Sequence, residues 1–305
     1  MTTETVIELK ELTVRYGRLT AVDQLSFEVP KGSVYALLGR NGSGKSSTVR
    51  CLLGQRHATA GAARVFGLDS WKQRRQIMER VGVVPEQPDI PPETNAEKLA
   101  RFMEQVAPRW RKTEFFGRLE GFGIPRKQRF DKLSKGQQRQ MALALALAAS
   151  PSLLVLDDPT LGLDAVARRE LFEELIGDLA DHGTTVLLTT HDLAGVEGIA
   201  DRVGILRHGT LLVDESLESL KARFCRLTLA PAGDVASDAI ETGLRHLGAI
   251  SSANVQGAVQ AVVENFSEVG FGRFRDEVPV EVEQIQSLPL EEIFIALCGE
   301  NGGSR

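Results

Sequence analysis

The chain has 305 residues, 42% apolar and 25% charged, a balance that fits a packed globular protein and argues against wholesale disorder. Its net charge of −5 lacks the basic excess expected of nucleic-acid binding. Three cysteines, Cys51, Cys225 and Cys298, form no Cys-x-x-Cys pair, which argues against a disulfide framework or a zinc site. The longest apolar run, Met141–Ala149, falls far short of the roughly 20 residues that span a bilayer, and no basic-then-apolar segment opens the chain as a secretory signal would. Any membrane role is therefore expected to run through a separate subunit.

The first forty residues read as strands. Thr5–Val14 sets Val6, Leu9 and Leu12 among polar residues, and Leu25–Val29 and Val34–Leu38 follow, separated by Pro30 and Gly32. The last of these runs into GRNGSGKSS, where Gly39, Gly44, Lys45 and Ser46 have the spacing G-x-x-x-x-G-K-[ST] of a phosphate-binding loop. Glycines let successive backbone N–H groups converge on phosphate oxygens. In such a loop the Lys45 ammonium reaches the β- and γ-phosphates and the Ser46 hydroxyl ligates Mg²⁺. Arg40, Asn41, Gly42, Ser43 and Ser47 complete the expected cradle. A helix predicted over Lys45–Leu53, closed by Gly54, adds its N-terminal dipole.

Val81–Val84 is a short apolar strand stopped by Pro85. Over 93–148 the pattern turns helical, as at Leu99, Phe102, Met103 and Val106, and Pro108 and Pro125 divide it into several helices. The basic residues Arg109, Arg111, Lys112, Arg118, Arg126, Lys127, Arg129 and Lys132 there read as a solvated face, with a docking surface as the functional alternative and a nucleic-acid patch as the weakest reading. Strands return at Leu153–Leu156, Val186–Thr189 and Val203–Leu206, with helices around 165–180 and 193–200. Buried apolar strands alternating with helices imply an α/β fold with a parallel or mixed sheet, interrupted by an all-helical insertion.

Past residue 225, short strands at Ala258–Val263 and Val278–Val282 mix with helices, the last at Leu290–Leu297, and Gly299, Gly302 and Gly303 mark a frayed end. Charge changes at the same place. Residues 1–225 carry 31 basic and 29 acidic side chains, net +2; residues 226–305 carry 5 and 12, net −7, with no lysine. That shift sets an expected boundary near residue 225.

Leu133-Ser134-Lys135-Gly136-Gln137, ahead of a helix, resembles the LSGGQ signature of ATP-binding cassette (ABC) proteins, with Lys135 in place of the first glycine. Ser134 also suits a plain helix N-cap. Further elements of the family follow. Tyr16, before Gly17, resembles the aromatic that stacks on adenine, the lesser alternative being a strand-end core tyrosine. Val83–Gln87 resembles the Q-loop; its glutamine would fall at Glu86, with Gln87 one step later, and which of the two reaches the metal stays open. Leu161–Asp164 resembles the D-loop, and Thr189-Thr190-His191-Asp192 the segment of the switch histidine, which would contact the γ-phosphate.

The resemblance covers about residues 5–225. It is nearest to the ATPases of ABC-2-type exporters and small bacterial cassettes with separate permeases, with PEQPDI and the ending LPLEEIFIALCG in support. It implies a P-loop ABC ATPase core over 1–225, with a helical subdomain at about 88–148, and a small C-terminal α+β extension over 226–305. It implies ATP and Mg²⁺ as cofactors. It also implies a head-to-tail dimer with a second nucleotide-binding subunit, identical or not. There Ser134, Gly136, Gln137 and Asp164 of one chain would close the site held by the other chain's P-loop. An integral-membrane permease would dock on the helical insertion, which places the protein in the cytoplasm, peripheral on the cytoplasmic face of the cell membrane, with no nucleic-acid partner expected.

Leu153–Asp157 reads as the Walker B strand, with Asp157 holding Mg²⁺. The family normally follows with a glutamate that polarises the attacking water; here Asp158 follows. Aspartate reaches roughly 1.3–1.5 Å less far, and a misplacement of about 1 Å can cost ~10²-fold in rate. Three readings stay open: Asp158 works through a shifted loop or a second water, His191 and the metal sustain slow hydrolysis, or a partner chain supplies the competent site. The expected function is the ATPase subunit of a transporter, exporting its substrate. Alternatives of other kinds are a soluble ABC ATPase acting on nucleic acid or the ribosome, and an ATP-binding switch with little turnover.

Overall fold

The structure is a computed structural model that describes residues 4–299 except 108, 233–236 and 256; Pro108, Gly302 and Gly303 lie outside the described residues. The chain divides into two compact units, 1–214 and 215–305.

In the first unit β1 (Thr5–Tyr16) and β2 (Leu19–Pro30) form an antiparallel hairpin, with Tyr16 opposite Leu19. Gly17 turns the chain between them at φ +59°. β1 also pairs with β4 (Ala60–Val65), and β4 with β5 (Leu68–Asp69), giving the order β2-β1-β4-β5. The alternation seen in the sequence places Ile7, Leu9, Leu12, Leu25 and Val29 in the core.

A second sheet has the order β10 (Thr210–Ser216), β9 (Arg202–Arg207), β3 (Val34–Gly39), β8 (Thr185–Thr190), β7 (Leu153–Asp157), β6 (Val81–Val84). From β9 to β6 every neighbouring pair is parallel. β3 and β8 are buried along their whole length, as strands covered on both faces require. Register sets Leu38 beside Thr190, and Asp157 beside Thr189. The carboxyl ends of β3, β7 and β8 therefore open onto one edge, where ligands bind in α/β sheets.

α1 (Lys45–Leu52) leaves β3 through the glycine-rich turn, and α2 (Arg74–Met78) precedes β6. The insertion comprises α3 (Ala96–Val106), α4 (Lys112–Gly121), a 3₁₀ turn at Phe130–Lys132 and α5 (Lys135–Leu147). It has a core of its own around Leu99, Trp110, Phe115, Leu119 and Met141. α6 (Ala165–His182) and α7 (Leu193–Glu197) flank β8 in sequence. α7 ends at Glu197, short of the expected 200, because Gly198 follows as a weak helix former. β4, β5, β10 and α2 had no expectation in the sequence.

The second unit opens with α8 (Leu217–Ala222) and continues β11 (Phe224–Pro231), α9 (Ser237–His246), β12 (Ala249–Val255), β13 (Ala258–Glu264), α10 (Glu268–Glu277), β14 (Val280–Ser287) and α11 (Leu290–Cys298). The order β12-β13-β11-β14, antiparallel throughout, is a β-α-β-β-α-β arrangement of ferredoxin-like type. Leu227, Leu229, Ile240, Leu244, Val263, Phe271 and Phe274 form its core. β14 runs on to Ser287, past the expected Val282, as a polar edge strand whose Glu283–Ser287 face solvent. Among the described residues no helix is long and apolar enough to cross a membrane.

Candidate active site

The turn after β3 is shaped by its glycines. A Cβ on Gly39 would lie 2.3 Å from Ser43 Oγ and 2.7 Å from the Leu206 carbonyl oxygen. Gly42 at φ +81° and Gly44 at φ +108° bend the chain through conformations that cost other residues energy. Gly44 caps α1 without a side chain, and the first turn carries no acidic residue, so the helix N-terminus is left for an anion. Ser43 Oγ is buried and finds no hydrogen-bond partner among the described residues; a phosphate oxygen would satisfy it.

Lys45 folds back over the turn. Its Nζ donates to the Gly39 carbonyl at 2.6 Å and to that of Arg40 at 3.4 Å. Burial lowers its pKa, and the carboxylates of Asp158, Asp157 and Glu86 oppose that by holding the charge. A cavity of about 400 Å³ collects these groups. Tyr16, Leu19 and Ala21 line one part, Asn41, Gly42, Ser43, Gly44, Lys45, Ser46 and Ser47 the next, and Glu86, Asp157, Asp158, Leu161 and His191 the rest. A larger groove of about 1200 Å³ involves α2, β6 and the insertion and shares none of these residues.

The two aspartates are held differently. Asp157 Oδ1 accepts from Thr189 Oγ1 at 2.5 Å, leaving Oδ2 for another partner. Asp158 adopts φ +50°, a region in which aspartate is among the better tolerated residues. Its N–H donates to the Thr189 carbonyl at 2.8 Å. Its Oδ1 accepts from Thr190 Oγ1 at 3.3 Å, and its Oδ2 lies 2.7 Å from His191 Nδ1. An ionised carboxylate only accepts, so the proton of this pair sits on Nδ1 and Nε2 is left for another partner.

Glu86 borders the cavity, whereas Gln87 is exposed and outside its lining. Gly39 and Arg40 take part through their carbonyls. The signature residues stand apart from this cavity. Ser134 and Gln137 form a capping box at the start of α5, each side chain bonded to the other's N–H at 3.1 Å. A Cβ on Gly136 would come within 3.2 Å of Ala167 Cβ. Asp164 Oδ1 accepts from the Ala167 N–H at 2.8 Å.

Sequence reasoning missed Arg139. Its Nη1 donates to the Asp158 carbonyl at 2.8 Å and its Nη2 to the Glu86 carbonyl at 3.0 Å, so one buried side chain ties α5 to both cavity segments. An arginine entering the apolar run of α5 was the available signal. For a metal, Ser46 and Asp157 bring oxygen atoms to the cavity, the donor type that would suit Mg²⁺. No group of three or more His, Cys, Asp or Glu among the described residues is placed to hold a metal ion alone.

A family profile described as ABC transporter matches residues 22–161. The chain is 34% identical over 222 residues to the bacitracin transport ATP-binding protein BcrA of Bacillus licheniformis, covering 72% of each. It is 27% identical over 294 residues to the ABC transporter ATP-binding protein YtrB of Bacillus subtilis (strain 168), covering 96% of this chain and 98% of that one. Among solved structures it superposes on the ATP-binding subunit of an ABC transporter with TM-score 0.64 and 26% identity, over 71% of this chain and 92% of that one.

Proposed function

The chain belongs to the ABC transporter family of ATP-binding proteins, and from that premise we propose that it works as one half of a head-to-tail pair that clamps ATP and drives a separate permease. It is an ATP-binding, ATP-hydrolysing subunit. The observation that carries the paired reading is a division within the chain. Lys45, Ser46, Asp157, Asp158 and His191 share one cavity, while the signature residue Ser134 lies exposed and outside it. Each chain thus owns a phosphate cradle and, elsewhere, a capped helix start suited to meet another chain's nucleotide.

In this reading Lys45 and the N-terminus of α1 neutralise the phosphates, and Tyr16 stacks on adenine. Ser46 and Asp157 would hold Mg²⁺, which supplies charge neutralisation to the phosphates. Asp158 and His191 form the proton-handling pair at the water side. With its proton on Nδ1, a neutral His191 presents Nε2 as an acceptor, and the same ring donates from Nε2 only when protonated.

The permease has a surface to grip. The 1200 Å³ groove combines apolar Ile90, Met103, Val106 and Trp110 with four arginines against the two acids Glu79 and Asp89, a setting for an amphipathic segment carrying some acidic residues. Docking there puts the subunit on the cytoplasmic face of the membrane, and the resemblance to exporters favours outward transport.

The test is complementation. Lys45→Ala and Ser134→Arg chains, each assembled with the permease, are expected to lose phosphate release. Mixed with each other they regain part of it, because a mixed dimer owns one intact composite site. Variants that fold and assemble but show no recovery on mixing would overturn the head-to-tail reading.

A further inference from the structure

The Tyr16 ring is backed by a side chain that no motif assigned. The Arg56 guanidinium carbon lies 3.9 Å from the ring centroid, within cation–π range. Tyr16 lines the nucleotide cavity and Arg56 does not. The tyrosine hydroxyl sits 3.4 Å from Ser47 Oγ in the first turn of α1.

Arg56 is itself fixed. Its Nη2 donates to the Arg15 carbonyl at 2.6 Å, and the Arg15 N–H donates to Thr59 Oγ1 at 3.0 Å. The N–H groups of Gln55 and Arg56 both donate to the Arg50 carbonyl in the last turn of α1, at 2.8 and 3.1 Å. The Thr59 N–H closes the loop onto the Thr13 carbonyl at 2.8 Å. The segment from Gln55 to Thr59 thereby joins the end of α1 to the end of β1.

We infer that Arg56 is a positioning residue for the nucleotide base: it holds the Tyr16 ring in place so that the ring's other face takes the adenine of ATP. The inference rests on the reading of this cavity as an ATP site. A ring already ordered by its hydroxyl, its backbone and a stacked cation loses little freedom when the base arrives, and preorganisation of that kind appears as affinity. The phosphate end of the cavity is held by other residues, so the contribution of Arg56 is confined to the base.

Calorimetric titration of the full-length chain with Mg-ATP and, separately, with inorganic tripolyphosphate tests this. Arg56→Ala is expected to weaken ATP binding by about five- to tenfold, the scale of a partly desolvated cation–π contact. Tripolyphosphate binding stays unchanged, and Arg56→Lys recovers part of the ATP affinity. Unchanged or tighter ATP binding in Arg56→Ala would overturn the inference, the second by showing that the guanidinium competes with the base. Equal loss for both ligands would overturn it too, placing the effect on α1 and the phosphate loop and leaving the ATP reading intact. Failure of the unaltered chain to bind either ligand would remove the ATP reading itself.

Discussion

Asp158 is held by contacts on four sides: its N–H, its carbonyl and both carboxylate oxygens each have a partner among Thr189, Arg139, Thr190 and His191. The shorter acid is thereby tied to the histidine, and its oxygens stop short of where a glutamate would reach. Asp158→Asn removes the negative charge and leaves one acceptor oxygen in place of two, so the His191 ring loses its charged partner. It should reduce phosphate release in the assembled transporter by roughly 10²–10⁴, the usual worth of a positioned proton acceptor, with ATP affinity unaltered. Asp158→Glu should preserve or raise turnover, since one more methylene carries the carboxylate into a cavity with room for it. Loss of turnover in a well-folded Asp158→Glu chain would show that the surroundings demand aspartate. At this scale the meeting of Lys45, Ser46 and Asp157 in one cavity was legible, the first two from the spacing of the glycine-rich turn and the third from the end of its apolar strand. Whether Glu86 or Gln87 faces the cavity was not, because that depends on how the chain leaves β6. Arg56 was invisible for a similar reason: its partner lies forty residues away in sequence, across a loop.

Among the elements, α5 links its own start to the cavity through Arg139. Burial pulls the pKa of this guanidinium down, while Asp158 and Glu86 hold it charged. Arg139→Met keeps an unbranched apolar stem and removes both donors, leaving the Asp158 and Glu86 carbonyls without this partner. Two such losses, at roughly 1–3 kcal/mol each, predict a destabilisation of about 2–6 kcal/mol in urea unfolding. Turnover should fall further than ATP affinity, because the phosphate loop is untouched. An Arg139→Met chain with unchanged urea midpoint and turnover would show that these carbonyls find water instead. β3, β7 and β8 were readable as apolar runs because both faces of each are covered, and the half-buried edge strand β6 because its short apolar run stops at Pro85. The β4–β5 segment was not, because AGAARV carries no alternation. Its Gly61 is dictated by tertiary crowding, where a Cβ would fall 2.2 Å from the Glu11 carbonyl oxygen. The far half of β14, Glu283–Ser287, escaped in the same way: periodicity records burial, and that part of the edge strand has none.

At the scale of the whole molecule, composition shows that the last eighty residues differ in charge, but not that they form a β-α-β-β-α-β unit. Strand order in an antiparallel sheet depends on which crossovers pack, a property of pairs distant in sequence. The two units do share one reporter. Cys51 in the first and Cys225 in the second are free, buried thiols, each pushed by burial from an ordinary 9.0 up to about 11. Between those pH values the unfolded chain releases the thiol proton while the folded chain keeps it, so the folded state binds more protons and stability declines as pH rises. Below pH 9 the contribution is fully present. Across the window it is lost at roughly 1.4 kcal/mol per pH unit for each thiol. Urea unfolding followed through that range should show a downward slope in which Cys51→Ala removes the share of the first unit and Cys225→Ala that of the second. Comparing slopes isolates this effect from the offset each substitution adds by opening a small cavity. A slope unaltered by either substitution would mean that both thiols titrate alike in the folded and unfolded chain, and that their burial leaves the proton equilibrium untouched.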